Sequence, residues 1–500
     1  MAGSPPKDWW NDAGLRKLNF LLLGVMLGSV GFGFDASLIS SQLSNKRWVS
    51  DLGVSSSSIE GAITASSSFG AVAALIPAAY VSDLIGRRYT IVISNIAIIG
   101  VVIGQSFCHN AASYLGTRIV VGFFDIIVTV SSNTLVAELS HPHQRAQATA
   151  LYNTFFYIGG ITAAWSAYGS LSINSSFSWR IPVLLQVLWP AVQTIMVFFC
   201  PESPRWLMTK GREEEAREIL NKYHANGRVF DEVVELEYQE AMASLEAEKH
   251  EASYSSWKAL FTTRGNLMRS FLVIFLGLSS QWVGNGIVSY YFTPILGTLG
   301  ISSSSQQQGI NGGLQIWNWV ASIIGALLAE RLGRKMLMLL SVAGMLIFMI
   351  LVTACSAVYA ESGNAASGRA VIVFLFLFFG FYDIGYTPIP PLYVTEIAST
   401  HLRAKYNSLY WWCTAVALCF NQYVNPIAED AIHWKYYIVY IVVLVVAFIV
   451  ISLIAPETKG RNLEEVAAMF DNEIADNLAR VSALKEDTKE EQVAEHTEFA

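Results

Sequence analysis

The chain has 500 residues, 53% hydrophobic and only 14% charged, with a formal net charge of −7. A soluble globular protein carries about 25% charged residues, so this composition excludes an ordinary water-soluble chain and points to repeated spans of about 20 apolar residues. No basic patch supports a nucleic-acid partner, no Walker loop or nucleophile motif supports an enzyme, and the five cysteines have no metal-ligand spacing, so no metal or cofactor is expected.

Residues 1–17 are polar, contain prolines and lack the pattern of a secretory signal; they read as a cytoplasmic N-terminal segment. Six apolar runs follow, at about 18–43, 57–82, 89–109, 112–137, 147–170 and 181–200. A polar island, 201–269, interrupts them. Its stretches Glu213 to Ala225 and Asp231 to His250 lack proline and have helix-forming composition. Six more runs lie at about 270–297, 308–330, 336–359, 370–395, 405–426 and 434–455, and an acidic tail covers 457–500. The expected fold is an all-α membrane protein. Twelve transmembrane helices form two pseudo-symmetric halves, 18–200 and 270–456, joined by cytoplasmic linker helices.

Lys and Arg in short loops mark the cytoplasmic side. Arg16, Lys17, Arg87, Arg88, Arg145, Arg331, Arg334, Lys335, Arg403 and Lys405 fall on one side. Lys46, Arg47, Arg180, Arg369 and Lys435 fall on the other. Both termini and the island are therefore expected in the cytoplasm. Asn174-Ser175-Ser176 is then an N-glycosylation sequon on the outside.

The halves repeat. Asp83…Gly86-Arg87-Arg88 follows span 2, and Glu330…Gly333-Arg334-Lys335 follows span 8. Glu138 lies seven before Arg145, and Glu396 lies seven before Arg403. Pro201-Glu202-Ser203 ends span 6, with Arg205 close behind; Pro456-Glu457-Thr458 ends span 12. Three matched pairs in one order indicate an internal duplication. Two such halves suit an alternating-access carrier, in which the ligand binds near mid-membrane between the repeats. The paired acids and bases are expected to latch helix ends across the two halves when the cytoplasmic side closes. The alternative is charge that only fixes orientation.

Asp35 is the only charge between Lys17 and Lys46, and an ionisable group at that depth is a functional candidate. Arg118 is its natural partner. A carboxylate in a low-dielectric cavity is pulled one way by desolvation and the other by a nearby Arg, so the pair reads as a proton- and ligand-dependent switch; a static buried salt bridge is the plainer reading. Asp125, seven after Arg118, and Asp383 each lie 13 before their half's Glu138 or Glu396, at equivalent repeat positions. They are expected to be a second protonatable or ligand-contacting pair, or hydrated vestibule charges.

Over about residues 15–465 the chain resembles the sugar porter family of the major facilitator superfamily, and is most similar to fungal hexose, lactose and cellodextrin permease-like members. The resemblance rests on Gly33-Phe34-Asp35, Asp83…Gly86-Arg87-Arg88, Arg118…Gly122, Pro201-Glu202-Ser203-Pro204-Arg205-Trp206, Gln281…Gly284…Tyr290-Tyr291, Gly333-Arg334-Lys335, Glu396…Arg403 and Pro456-Glu457-Thr458-Lys459-Gly460-Arg461. It implies proton coupling through Asp35 and Arg118. It also implies a sugar cavity lined by Phe32, Asn153, Gln281, Asn285, Tyr290, Tyr291, Asn318 and Thr414, with the two tyrosines resembling an outer gate. Amides suit vicinal hydroxyls because they donate and accept. Positions that depart from the family pattern include Asp125 and Asp383, Asn153 where Gln is common, Asn285 displaced by one place, Pro391 where Trp is common, Thr414-Ala415 where an amide and Trp are frequent, and Gln186 where some symporters carry an acid. The expectation is a monomeric, multi-pass plasma-membrane carrier importing a mono- or disaccharide with protons. The alternatives are an uncoupled facilitator, a carrier of a non-sugar metabolite, and a transport-inactive sensor, against which the short tail argues.

Overall fold

The computed structural model describes residues 9–142, 144–227, 234–239, 241–242, 257–301, 303–398, 402–459, 465–466 and 469–470. In the first half α1 spans Ala13–Leu43, α2 Lys46–Leu52, α3 Ser57–Ile85, α4 Arg87–Ser106, α5 Ala111–Leu139, α6 Arg145–Ser170, α7 Phe177–Leu185 and α8 Leu188–Phe198. The linker contributes α9 (Pro204–Thr209) and α10 (Glu213–His224). The second half holds α11 (Arg264–Trp282), α12 (Asn285–Thr298), α13 (Ser304–Leu332), α14 (Arg334–Ser362), α15 (Ala365–Phe381), α16 (Ile389–Ile397), α17 (Arg403–Ile432) and α18 (Tyr437–Ile454). Of the expected linker helix Asp231–His250, only 234–239 and 241–242 are described, and they are helical; the rest lies outside the described residues.

The helices extend beyond the apolar runs because polar caps close them. Asp12, Ser56, Asn110 and Thr263 each accept a backbone N–H of the following first turn, which satisfies donors that a helix start leaves open. Three expected spans are not single helices. Gly284, at φ 102°, divides 270–297 into α11 and α12. A π-helical turn, Tyr382–Tyr386, divides 370–395 into α15 and α16. Span 181–200 breaks at Gln186-Val187. There Pro190 has no N–H to give the carbonyl four residues earlier.

Eight helical stretches among the described residues are long and apolar enough to cross a membrane by length and composition. The remaining long helices are diluted by amides: Asn153 on α6, Gln281 and Asn285 at the α11–α12 break, and Gln308, Asn311, Gln315 and Asn318 on α13. The halves meet where α6 packs on α13, α1 on α12, and α3 on α17. Each half has its own apolar core. Large side chains such as Ile76, Phe199 and Leu453 stay exposed on the outer surface, as a lipid-facing surface requires. Within the first half α5 packs tightly on α3: a Cβ at Gly122 would collide with the Ser67 carbonyl, and one at Gly70 with that of Ile119.

The linker docks on the first half. Trp206 Nε1 donates to the Asp83 carbonyl at 2.9 Å, and His224 lies 2.7 Å from Glu237 and 3.1 Å from the Leu139 carbonyl. This end of the bundle is called the linker side below. Asn174 is exposed at the opposite side, between α6 and α7.

Candidate functional site

The duplication is written in atoms on the linker side. In the first half Arg87 pairs with Glu138 at 3.2 Å and with Asp83 at 2.9 Å. In the second, Arg334 pairs with Glu396 at 2.8 Å. Glu202 accepts the backbone N–H groups of Arg87 and Arg88; Glu457 accepts those of Arg334 and Lys335. Ser203 Oγ donates to Glu138 at 2.5 Å, and Thr458 Oγ1 donates to Glu396 at 2.5 Å. The turn glycines match as well, with φ 98° at Gly86 and 92° at Gly333. A Cβ there would strike Glu202 or Glu457.

The ion pairs Arg87–Asp83, Arg87–Glu138 and Arg334–Glu396 close within each half. Arg145 reaches Glu237 of the linker at 3.4 Å. Arg403 Nε and Nη2 are buried with no hydrogen-bond partner among the described residues. The Glu330 side chain lies outside the described residues. Glu202 and Glu457 differ in electrostatics. Burial pushes the Glu202 carboxyl above the usual range, outweighing its N–H donors. Burial also acts on Glu457, but the N–H groups of Lys459, Arg334, Met336 and Thr458 together overcome it and hold that carboxyl below the usual range.

On the opposite side the halves are tied together. Gln308 Nε2 donates to the Ser41 carbonyl at 2.5 Å and to Ser44 Oγ at 2.6 Å, and Ser304 donates to the Ser44 carbonyl at 2.9 Å. Thr293 donates to the Ser40 carbonyl, and Ser68 to Gln422. Tyr291 is buried at a kink in α12 and donates to the Gln422 carbonyl at 2.6 Å. Tyr290 packs into the first half's core.

Two polar centres lie between these ends. In the first, Asp35 (3% exposed) meets Arg118 (1% exposed) at 3.2 and 3.4 Å. Gln186 Nε2 donates to Asp35 at 3.1 Å, and Arg118 donates to Ser67 at 3.0 Å. Asp125 is buried within electrostatic reach of both Asp35 and Arg118. In the second centre, Asp383 (1% exposed) sits on the π-helical turn. It accepts Tyr157 Oη from the other half at 2.7 Å and Thr387 Oγ1 at 3.0 Å. The Asn318 amide, with its nitrogen facing the acid, donates at 3.3 Å. π turns break the backbone ladder and recur at functional sites.

The other expected cavity residues distribute unevenly. Asn285 donates to Tyr382 Oη at 2.8 Å, and its Oδ1 has no partner among the described residues. Asn153 is exposed one turn from Tyr157, on the face turned to the second half. Phe32 packs against Phe156, ring centroids 5.8 Å apart. Gln281 lies at the α11 end, where its carbonyl accepts Asn421. Thr414 spends its hydroxyl on the Tyr410 carbonyl of its own helix, at 2.9 Å. Sequence reasoning missed Tyr157, Thr387 and Tyr382. Aromatics and hydroxyls in a span carry no signal that separates a lipid-facing from a cavity-facing position. It treated Gln186 as a lost acid, although its amide holds Asp35.

A helical body of two duplicated halves, tied at one side around two buried polar centres, is a multi-pass membrane transporter and not an enzyme. The chain belongs to the family described as Sugar (and other) transporter, whose model matches residues 21–470. It is 26% identical to the MFS-type transporter criB of Aspergillus cristatus, over 90% of this chain and 93% of that one. It is also 26% identical to the high-affinity hexose transporter HXT6 of Saccharomyces cerevisiae, over 91% of this chain and 82% of the relative. Among solved structures, the inward-open xylose transporter XylE from E. coli superposes with a TM-score of 0.76 at 19% identity, covering 91% of this chain and 100% of that one. The proton:xylose symporter XylE bound to 6-bromo-6-deoxy-D-glucose gives 0.74 at 20%, covering 91% and 99%. These likenesses establish the major facilitator fold.

Proposed function

We propose that the protein imports a mono- or disaccharide together with protons by alternating access. The observation that carries the coupling is the buried Asp35–Arg118 pair. A fully buried ion pair brings desolvation costs that packing alone does not require, and it sits where the halves approach one another. Protonating Asp35 would release Arg118 and loosen the contacts of α1 and α5. Sugar as the substrate is supported by the hexose transporter among the relatives and by the amide-rich face of the second centre. There Asp383, Asn318, Asn285, Asn153 and Gln281, with Phe32, Tyr290 and Tyr291, are proposed to line the cavity; Thr414 contributes packing.

Residues 18–200 and 270–456 are proposed as the two moving bodies, with 201–269 as the linker. The linker side is assigned to the cytoplasm, which puts Asn174 outside as a glycosylation site, and the protein to the plasma membrane as a monomer. The opposite side is tied in this state, so the state described opens to the cytoplasm. When that side closes, Arg145, Arg205 and Arg403 are proposed to reach the acids of the facing half, joining clusters that now close within each half.

The test is uptake of labelled glucose, galactose, xylose, lactose and cellobiose by cells lacking sugar carriers, with and without a protonophore. Saturable uptake of one sugar, abolished by the protonophore, is expected. Uptake that ignores it makes the protein a facilitator. No sugar uptake from protein at the surface makes it a carrier of another metabolite, a reading favoured by the hydroxyl that Thr414 withholds.

A further inference from the structure

Arg118 stands between two acids, and the structure shows it bonded to only one. Asp35 on α1 takes Nη1 and Nη2. Asp125 lies two helical turns further along α5, on the same face, about 10 Å nearer the linker side along the axis. It is 6% exposed, and among the described residues its Oδ2 has no hydrogen-bond partner. Arg118 Nε is likewise buried without a partner among the described residues. A buried acid with an empty acceptor on the same helix face as a buried base with an unused donor is an incomplete arrangement. A packing role alone would be filled better by a neutral side chain.

Charge counting says what completes it. Asp35, Asp125 and Arg118 are two acids and one base, so the group is neutral when it holds one proton. The other elements packed against α5 add no compensating charge at this depth. α6 presents Tyr152, whose hydroxyl donates to the Thr129 carbonyl at 3.1 Å. α8 presents Gln193, and α3 presents Ser67. Glu60 and Asp83 lie at the two ends of α3, and Arg87 and Arg88 at the linker end of α4.

We propose that Asp125 is the second seat of the coupled proton, and that Arg118 exchanges between the two acids during transport. This rests on the proton-coupled reading above. In the state described, Arg118 pairs with Asp35 and the proton resides on Asp125. After the halves rock to open the opposite side, a proton from that side binds Asp35, the Arg118–Asp35 bonds break, and the guanidinium turns to Asp125. When the linker side opens again, Asp125 gives its proton to water there and becomes the partner of Arg118; the proton on Asp35 then passes through water to Asp125 as Arg118 returns to Asp35, which restores the starting arrangement. One proton enters and one leaves. The two acids are placed in the right order along the membrane normal for inward movement.

The experiment uses the full chain in vesicles and two readouts. The first is the infrared carbonyl band of a protonated carboxyl, recognised by its shift in deuterium oxide. The wild type minus Asp125→Asn difference is expected to show this band at neutral pH. Asp35→Asn is expected to lose the same component, because Arg118 then ionises Asp125. No difference in Asp125→Asn, or a band that survives in Asp35→Asn, overturns the proposal. The second readout compares gradient-driven accumulation of glucose and of xylose with their equilibrium exchange. Asp125→Asn is expected to lose accumulation and the acid limb of the pH profile while keeping exchange, and Asp125→Glu to recover accumulation. Equal loss of both processes in Asn and Glu variants would mean a structural role. Coupled uptake at the wild-type level in Asp125→Asn overturns Asp125 alone. Uptake that ignores a protonophore in the wild type overturns coupling itself, and Asp125 with it.

Discussion

The two halves agree at their linker ends and disagree at their centres. At the ends, Arg87, Glu138, Glu202 and Gly86 have counterparts in Arg334, Glu396, Glu457 and Gly333, bonded in the same way. At the centres, Asp125 and Asp383 occupy equivalent positions 13 residues before those glutamates. Asp125 lies beside an ion pair of its own half, whereas Asp383 is held by neutral donors, one of them Tyr157 from the other half. The ends perform one mechanical task twice, which is to lock a turn between two helices, so both copies keep it. In the proposed mechanism the centres face different chemistry, a proton in one half and a substrate in the other, which accounts for their divergence.

The largest effect should come from separating the functions of the centres. Asp35→Asn is expected to abolish accumulation of the sugar against a gradient while leaving exchange, as measured in vesicles. If exchange and accumulation fell together, the first centre would be structural. Next, Arg118→Ala leaves Asp35 buried without its base, which should cost about 3–5 kcal/mol of stability. Thermal unfolding of the purified protein checks it, and the double variant with Asp35→Asn should recover part of the loss. A smaller effect tests the equivalence of the ends. Gly86→Ala and Gly333→Ala each force a side chain into positive φ against a glutamate, at about 1–3 kcal/mol. Similar losses would sharpen the symmetry, and a large inequality would break it.

The smallest effect lies in pH. Glu457 has a lowered pKa, so its contribution is present above the ordinary value and lost as pH falls through the lowered one. Glu202 has a raised pKa, so its ionised form is disfavoured by the fold and its contribution declines as pH rises through that interval. Glu457→Gln should therefore destabilise more at pH about 7 than at about 4, and Glu202→Gln should change in the opposite sense. Melting curves of both variants at the two pH values decide it. Parallel changes would show that the two turns are electrostatically alike.

Much of this was legible in one dimension. Spans follow from apolar length because the bilayer demands it, and the duplication follows from motifs spaced identically in both halves. Asp35 and Arg118 stood out because charge inside a span is costly. The breaks at Gly284 and Tyr382–Tyr386 were not legible, since apolar runs continue through them. Nor were the partners of the linker-side acids. Spacing places Arg87 and Glu138 at helix ends, but it does not say which helix ends are neighbours.

Composition and separations along the chain were enough for the membrane class, the two halves, the matched turn motifs and the buried pair. Three-dimensional packing alone shows that the turn locks close within each half, that Tyr157 meets Asp383 across the seam, and that Arg118 leaves Asp125 unfilled. Those facts depend on which faces of distant helices touch. In a membrane span apolar residues cover both the lipid and the packed faces, so periodicity does not tell them apart.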